Sequence, residues 1–174
     1  MQSVISQGSS EFNAIIAADT SGRLPACTHD PPHRFFACLV DLATGFCTTA
    51  PMLDKKTASM VHVFNTSWAS WASWPSAIRL DRGSEFLSKK FVTNMHQNGT
   101  KVIFTMTGAA RALYAERLNR NIKMILRAVL STCADQSGWC EALPYVTASL
   151  NTTVNSATGI CCQVTPPMQS CRIT

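Results

Sequence analysis

The segment that most constrains the fold is a short apolar run that ends on an acid. Residues 77–80, Ala-Ile-Arg-Leu, precede Asp81, and Gly83 follows two positions later, where helix-forming residues resume. This pattern predicts a strand, a sharp turn at the glycine and a carboxylate at the end of the strand. Open α/β folds bind ligands at the carboxyl ends of their strands, so Asp81 is a candidate functional residue. Taken alone, the segment is more typical of an ordinary loop.

A second acid begins the most regular helical pattern in the chain. Apolar residues from 118 to 126 follow one helical face, and four charged residues follow another: Glu116, Arg120, Lys123 and Arg127. An acid therefore begins a basic stripe. Asp81 and Glu116 lie about 35 positions apart, with the strand-like run 101–104 between them. This order allows an aspartate at a strand end to meet a glutamate on a helix.

Three segments together indicate a family. They read Asp-Arg-Gly-Ser-Glu-Phe at 81–86, Glu-Arg-Leu-Asn-Arg at 116–120 and Asn-Thr-Thr-Val-Asn-Ser-Ala-Thr-Gly at 151–159. In their order and spacing, the chain resembles the catalytic core of retroviral-type integrases, especially those of long-terminal-repeat retrotransposons. The resemblance covers roughly residues 11–165. It implies an active site of two aspartates and a glutamate, with Asp81 and Glu116 as the second and third acids.

The first acid of this triad has two candidates. Residues 12–18 predict a buried strand that ends at Asp19, and the following Thr-Ser-Gly-Arg-Leu-Pro is similar to the family's Asp-x-x-Gly-Pro-Leu-Pro, with Arg23 in place of the first proline. Asp41, in the predicted hairpin turn at 41–44, is the competing candidate. The family also carries an aspartate there that is not a metal ligand. We therefore favour Asp19 and expect Asp41 to bond its own backbone.

The resemblance implies an α/β, ribonuclease-H-like fold with a five-stranded mixed sheet, three strands antiparallel and two parallel, and helices on both faces. Further patterns fit this fold, with strands predicted at 35–40, 45–50 and 101–104 and helices at 56–74, 85–97 and 137–150. We expect a disordered segment at 1–10, the integrase core at 11–165 and a tail at 166–174. The zinc-binding and C-terminal modules of the family have no counterpart in this sequence.

A run of three tryptophans lies in the predicted helix 56–74. Trp68, Trp71 and Trp74 recur every three residues and form an aromatic stripe. Such a stripe suits base stacking, but packing on a sheet is the commoner use of aromatic side chains. We expect the stripe to belong to the core.

The expected chemistry is metal-dependent DNA strand transfer. Cleavage and joining of phosphodiesters require an activated oxygen nucleophile and a stabilised leaving oxygen, and two Mg²⁺ or Mn²⁺ ions supply both. Carboxylates are hard oxygen ligands that suit Mg²⁺, whereas at about 4 Å each pair of them repels by about 4 kcal/mol at an effective dielectric near 20. The resemblance assigns Asp19 to both ions, Asp81 to one and Glu116 to the other.

The basic stripe predicts contact with DNA phosphates. Arg120 and Lys123 follow Glu116 by one and two helical turns and Arg127 continues their face, so these residues can flank a bond held at the acids. A solvated helix face is the competing interpretation for each of them. The family also implies a homo-oligomer and, because its target is chromosomal, a nuclear location.

Residues 105–113, Thr-Met-Thr-Gly-Ala-Ala-Arg-Ala-Leu, depart from the family pattern. The prolines and the glycine expected before Glu116 are missing, and the interval from Asp81 is one residue short. A catalytically inactive or domesticated retrotransposon fragment that binds nucleic acid or protein is therefore the alternative function. Another nuclease of the same fold is a third interpretation.

Composition agrees with a globular domain. The chain has 174 residues, of which 46% are hydrophobic and 14% charged, and these values favour one compact domain over disorder. The net charge of +5 favours a polyanionic partner, although an unspecialised basic protein fits as well. No apolar run approaches the ~18 residues that cross a bilayer, so we expect a soluble protein.

The sequence contains eight cysteines. No charged-then-apolar signal segment precedes them, so we expect them to be reduced. No Cys-x-x-Cys spacing occurs, and the adjacent Cys161 and Cys162 suit neither a zinc site nor a disulfide. Cys27, His29 and His33 lie close together around two prolines. The sequence favours an ordinary loop over a metal site there.

Overall fold

A computed structural model describes residues 11–105, 112–131 and 136–153. A single five-stranded sheet organises this part of the chain, in the order β3-β2-β1-β4-β5. Its strands are β1 (Ile15–Thr20), β2 (Phe35–Asp41), β3 (Cys47–Met52), β4 (Ala77–Leu80) and β5 (Lys101–Phe104). β2 pairs antiparallel with both β1 and β3, whereas β4 pairs parallel with both β1 and β5. The predicted mixed sheet is confirmed.

Helices connect and cover the strands. They are α1 (Thr57–Phe64), a π-helical turn (Asn65–Ala69), α2 (Ser70–Ala72), α3 (Ser84–Leu87), α4 (Lys89–Gln97), α5 (Ala112–Leu130), a 3-10 turn (Gln136–Gly138) and α6 (Trp139–Thr152). Among the described residues, no helix combines the length and the apolar character that crossing a membrane requires.

Two hydrophobic cores lie on the two faces of the sheet. Successive side chains of a strand point to opposite faces, so β1 places Ile16 and Ala18 in one core and Ala17 in the other. The first core packs against α1, α3 and α4 through residues such as Phe64 and Phe91. The second packs against α5 and α6. The helices therefore cover both faces, as predicted for a ribonuclease-H-like fold.

Several element boundaries differ from the sequence expectation: β3 spans Cys47–Met52 rather than 45–50, and the helix expected at 56–74 ends at Ala72. β1 spans Ile15–Thr20, so it begins later than residue 12 and continues one residue past its predicted end at Asp19. The single helix expected at 85–97 is interrupted at Ser88, whose extended backbone and side chain cap the start of α4 by accepting a hydrogen bond from Lys90 N. The helix expected at 137–150 is α6, which spans Trp139–Thr152 and contains Pro144 in its interior.

The tryptophan stripe packs largely in the core, as expected. Trp68 is fully buried, and its Nε1 donates to Asn13 Oδ1 at 2.8 Å. Trp74 packs against Phe64, with ring centroids 5.1 Å apart. Trp71 is the exception, because it lies at the edge of the cluster and 36% of its surface is exposed. Expectations for residues 1–10, 106–111 and 154–174 lie outside the described part of the chain.

Candidate active site

Asp19 and Asp81 stand side by side at the carboxyl ends of two neighbouring parallel strands. Ala17 pairs with Arg79 in the register of β1 and β4, and two further positions along each strand lead to Asp19 and Asp81. Neighbouring strands lie about 4.8 Å apart, so the two acids begin from adjacent backbone positions. The strand end predicted to present Asp81 therefore lies beside the first predicted acid.

Asp19 faces the helix that carries Glu116. It is two residues after Ala17 on the same face of β1, and this face packs against α5. The Asp19 Oδ2 atom accepts a hydrogen bond from Asn119 Nδ2 at 2.8 Å, and its Oδ1 accepts one from Thr20 N at 2.8 Å. The bond from Asn119 connects this carboxylate to α5, and the bond from Thr20 holds it to its own strand.

The environment of Asp19 disfavours its ionisation in the absence of a cation. Burial raises the pKa of Asp19 above its usual value, and the negative charge of Asp81 raises it further. Hydrogen bonds from Asn119 and Thr20 and the positive charge of Lys55 act in the opposite direction without reversing the shift. A bound cation would favour the ionised carboxylate.

Glu116 shares a cleft with Asp19. This cleft has a volume of about 520 Å³, and it is lined by Asp19, Thr20, Glu116, Asn119, Arg120, Lys123, Met124 and Arg127. Glu116 is exposed on α5, one turn before Asn119. The helix thus brings the predicted third acid and three predicted DNA contacts, Arg120, Lys123 and Arg127, to one surface with the first acid.

Asp81 is exposed and is not among the residues that line this cleft. Its Oδ1 atom accepts a hydrogen bond from Gly83 N at 2.9 Å, so the side chain turns back on its own loop. Among the described residues, the carboxylates of the three acids do not gather within 4.8 Å of one another. Without a cation, three carboxylates brought closer together would repel one another.

Gly83 leaves space for two neighbouring carboxylates and does not form an unusual turn. Its backbone has φ −59° and ψ 143°, which any residue adopts, so the expected sharp glycine turn is wrong. A Cβ atom at this position would lie 3.0 Å from both Asp81 Oδ1 and Glu85 Oε2. The missing side chain lets two acids approach the same stretch of backbone.

Glu85 is an acid whose role the sequence did not reveal. It is 6% exposed, and its Oε1 accepts a hydrogen bond of 2.6 Å from Thr20 Oγ1. Its backbone oxygen accepts another from Thr57 Oγ1 at 3.1 Å. Glu85 therefore links the loop after Asp81 to the strand that carries Asp19. The residues before it, Asp-Arg-Gly-Ser at 81–84, are polar, so no local signal in the sequence indicated that Glu85 is buried.

Asn119 was also missed. It is 3% exposed and reaches Asp19 from the buried side of α5. The signal lay in its spacing, because a residue three positions after Glu116 lies on the same side of a helix.

A second groove continues the basic surface. It has a volume of about 240 Å³, and its lining includes Arg23, Lys123 and Arg127. A Cβ atom on Gly22 would lie 3.8 Å from Lys123 Nζ, so the loop after β1 runs directly beside the basic stripe. Arg23, noted in the sequence only as a departure from the family, extends this stripe.

Asp41 serves the hairpin, as expected. It is fully buried, and its side chain accepts hydrogen bonds from Asn13 N at 2.9 Å, Thr44 N at 2.7 Å and Thr44 Oγ1 at 2.8 Å. It pairs with Ile16, near the opposite end of β1 from Asp19. Its oxygens are committed to the turn, which leaves Asp19 as the upstream acid beside Asp81.

The donor set suits a hard divalent cation. The acids carried by β1, by the end of β4 and by α5 offer carboxylate oxygens, which are the ligands Mg²⁺ and Mn²⁺ prefer. Asp19 also carries an unfavourable buried charge that a cation would neutralise. The residues present therefore fit such a metal.

The chain is similar to known proteins in both sequence and fold. It is 31% identical over 115 residues to the Transposon Ty1-DR4 and Ty1-NL2 Gag-Pol polyproteins of Saccharomyces cerevisiae, a match that covers 63% of this chain. The matched region is 7% and 6%, respectively, of these much longer polyproteins. No family model matches the chain.

Among solved structures, the magnesium complex of the HTLV-2 integrase catalytic core domain, in its trimeric form, superposes with a TM-score of 0.66. The match covers 84% of this chain and 91% of that domain at 20% sequence identity. The chain resembles a retroviral-type integrase catalytic core. The resemblance predicted from three short segments is confirmed by the transposon relatives and by the fold.

In this integrase-like core, the third of those segments begins with a structural contact. Asn151 Oδ1 accepts a hydrogen bond from Cys47 N at 2.9 Å, and Asn151 Nδ2 donates to Cys47 O at 2.8 Å. The Asn151 amide thus pairs with the backbone of the edge strand β3 as another strand would. It fixes the end of α6 on the sheet.

Proposed function

We propose that the chain is the core of a metal-dependent polynucleotidyl transferase that carries out DNA strand transfer as integrases do. The observation that carries the proposal is the register of β1 and β4, which sets Asp19 beside Asp81 under the helix that bears Glu116. Similarity to polyproteins of a retrotransposon and to a retroviral integrase core supports the same reaction class.

Asp19, Asp81 and Glu116 would hold two Mg²⁺ or Mn²⁺ ions. When bound, such ions activate the attacking oxygen and stabilise the leaving oxygen of an in-line displacement at phosphorus. Asn119 orients Asp19 and favours its ionised form, and the Gly83 amide orients Asp81. The HTLV-2 core is described in complex with magnesium, which supports the choice of metal.

DNA is the proposed substrate. Arg120, Lys123 and Arg127 line the cleft that contains Asp19 and Glu116, so they would bind phosphates on either side of the reacting bond. Arg23 continues the same surface. These contacts carry charge but no base specificity, so binding would depend strongly on salt.

We further propose that the protein self-associates and acts in the nucleus. The trimeric form of the HTLV-2 core supports self-association, and a chromosomal target would require nuclear entry. Light scattering after gel filtration measures the first, and a monomer at every concentration would contradict it. Imaging of the tagged chain measures the second, and exclusion from the nucleus would contradict it.

The decisive experiment is a strand-transfer reversal assay on branched DNA, with Mn²⁺ and then Mg²⁺. This reaction tests the core without requiring flanking modules. We expect a joined product that depends on metal and is lost in Asp81→Asn and Glu116→Gln. Asp41→Asn is the matched control for the upstream site, and Asp19→Asn must abolish product where Asp41→Asn, if folded, does not.

Each other outcome selects another function. A folded chain that binds DNA but gives no product with either metal is the inactive or domesticated fragment, and the departure at 105–113 becomes the first region to restore. A chain that cuts DNA but joins no strands is a nuclease of the same fold. Either result would refute the strand-transfer proposal.

A further inference from the structure

Four potential metal ligands meet between the β1–β2 loop and α6. Cys27, His29 and His33 lie in the loop, and Cys140 lies in the first turn of α6. One ligand atom from each of the four lies within 4.8 Å of the others. Among the described residues, this is the one place where three or more His, Cys, Asp or Glu side chains gather so closely.

The internal distances match a tetrahedral zinc site. Cys27 Sγ lies 3.5 Å from His29 Nδ1 and 3.7 Å from His33 Nδ1. Sulfur about 2.3 Å and nitrogen about 2.0–2.1 Å from a tetrahedral Zn²⁺ are separated from each other by about 3.5 Å. Both imidazoles turn the same nitrogen toward the sulfur, so small movements would place all three atoms on one ion.

The surroundings also resemble those of a structural metal site. Cys27 and Cys140 are buried, and both are free thiols. The His33 backbone N–H donates to Cys27 Sγ at 3.2 Å, a contact that would stabilise a metal-bound thiolate. Cys27 N donates to His33 O at 3.1 Å, which closes the loop around the ligands.

We propose that Cys27, His29, His33 and Cys140 bind one Zn²⁺ ion and so join the β1–β2 loop to the start of α6. Two thiolates and two imidazoles fill all four positions of a tetrahedral ion, which is the arrangement of structural rather than catalytic zinc. None of the four residues lines the cleft that contains Asp19 and Glu116. The site is therefore separate from the proposed magnesium ligands.

Neighbouring contacts already hold the same two elements together. Trp139 Nε1 donates to Pro25 O at 2.9 Å, and Thr28 Oγ1 donates to Glu141 Oε1 at 3.2 Å. A zinc ion would add metal–ligand bonds between the β1–β2 loop and α6. Sequence spacing favoured an ordinary loop because the fourth ligand, Cys140, lies more than 100 positions from the other three and only the fold brings it there.

Metal binding itself tests the proposal. The full chain is prepared with four cysteines replaced by serine: Cys133, Cys161, Cys162 and Cys171. The thiols that remain are then those of Cys27, Cys38, Cys47 and Cys140. After removal of metal, we expect one equivalent of Zn²⁺ to bind and to raise the melting temperature. Co²⁺ in its place should give a thiolate charge-transfer band and the intense visible bands of tetrahedral cobalt.

Variants assign the ligands. Cys140→Ala and His33→Ala should lower zinc affinity about 100-fold or more, because each removes a ligand. Cys38→Ala and His96→Ala, a buried cysteine and an exposed histidine elsewhere, should bind zinc normally. Cys140→His supplies a different ligand, so it should retain the metal with a weaker thiolate band, and it covers the case in which Cys140→Ala fails to fold.

Four outcomes would overturn the proposal. They are a folded parent chain that binds no zinc, a cobalt spectrum without thiolate bands, zinc affinity unchanged in both Cys140→Ala and His33→Ala, and a Cys27–Cys140 disulfide that persists in the presence of zinc. Zinc content and spectra are independent of DNA chemistry, so the result stands whether or not strand transfer occurs.

Discussion

Asn119 Nδ2 donates a hydrogen bond of 2.8 Å to Asp19 Oδ2, across 100 positions of sequence. This bond ties the helix that carries Glu116 to the strand that carries Asp19. Because Glu116 lies one turn before Asn119, the same contact fixes where the third acid stands relative to the first. Asn119 thus acts on the site by positioning, through Asp19.

Asn119→Ala should therefore lower the metal affinity of the site. A hydrogen bond to a charged group contributes about 1.5–3 kcal/mol, so we expect metal affinity to fall about 10- to 100-fold. Loss of the donor also raises the pKa of Asp19, so Mn²⁺ binding should shift to higher pH in a calorimetric pH series. Asn121→Ala, on the same helix but outside the cleft, is the control. An unchanged pH profile would remove Asn119 from this role.

Asp19→Asn should stabilise the metal-free protein while abolishing metal binding. Burial and, to a lesser degree, the charge of Asp81 raise the pKa of Asp19 above 3.8. A carboxyl group whose pKa is higher in the folded state than in the unfolded state contributes its full stabilisation below the unfolded-state pKa. That stabilisation is lost as the pH rises through the folded-state pKa. The amide removes this loss, and a gain of about 1 kcal/mol raises the melting temperature about 2–4 °C.

Melting in a chelator at pH 7 and at pH 3 measures this effect, which should be present at pH 7 and absent at pH 3. Asp54→Asn is a control for which we expect the opposite change in melting temperature at pH 7. Hydrogen bonds from Ser59 and from the Lys56 backbone lower the pKa of Asp54, so its stabilisation holds at neutral pH and is lost as pH falls through the folded pKa. Equal responses of the two variants would contradict the assigned environments.

The sequence predicted the fold better than the details of the site. Strands β4 and β5 were placed at their observed bounds, because short apolar runs between turn residues are local signals. The triad candidates came from strand ends and helix spacing, which are also local. Glu85, Asn119 and Cys140 act through partners 65, 100 and 113 positions away. Only the packed chain brings such partners together, so local patterns could place Asn119 on the helix face of Glu116 but could not identify the partners of these three residues.

The Thr20–Glu85 pair should stabilise the protein as a unit. Thr20 is 8% exposed and Glu85 is 6% exposed, so neither side chain has ready access to water as a substitute partner. A double-mutant cycle of Thr20→Val and Glu85→Met, each of which removes the hydrogen bond, followed by denaturant unfolding, should give a coupling energy of about 1–3 kcal/mol. Thr57→Val, which removes only a bond to the Glu85 backbone, should not couple to Glu85→Met. Additive effects of the first pair would show that the 2.6 Å contact contributes little.

Lys123→Ala should weaken DNA binding without affecting its sequence preference. Lys123 lines both the cleft that contains Asp19 and the groove that contains Arg23, so it stands where a phosphate could pass from one to the other. Each phosphate contact contributes about 0.9 to the slope of log affinity against log salt. We expect the slope to flatten by about that amount in a fluorescence anisotropy titration. Lys101→Ala is the control, because Lys101 is exposed at the start of β5, outside both surfaces. A slope that stays unchanged in Lys123→Ala, or that flattens equally in Lys101→Ala, would mean that this face of α5 is merely solvated.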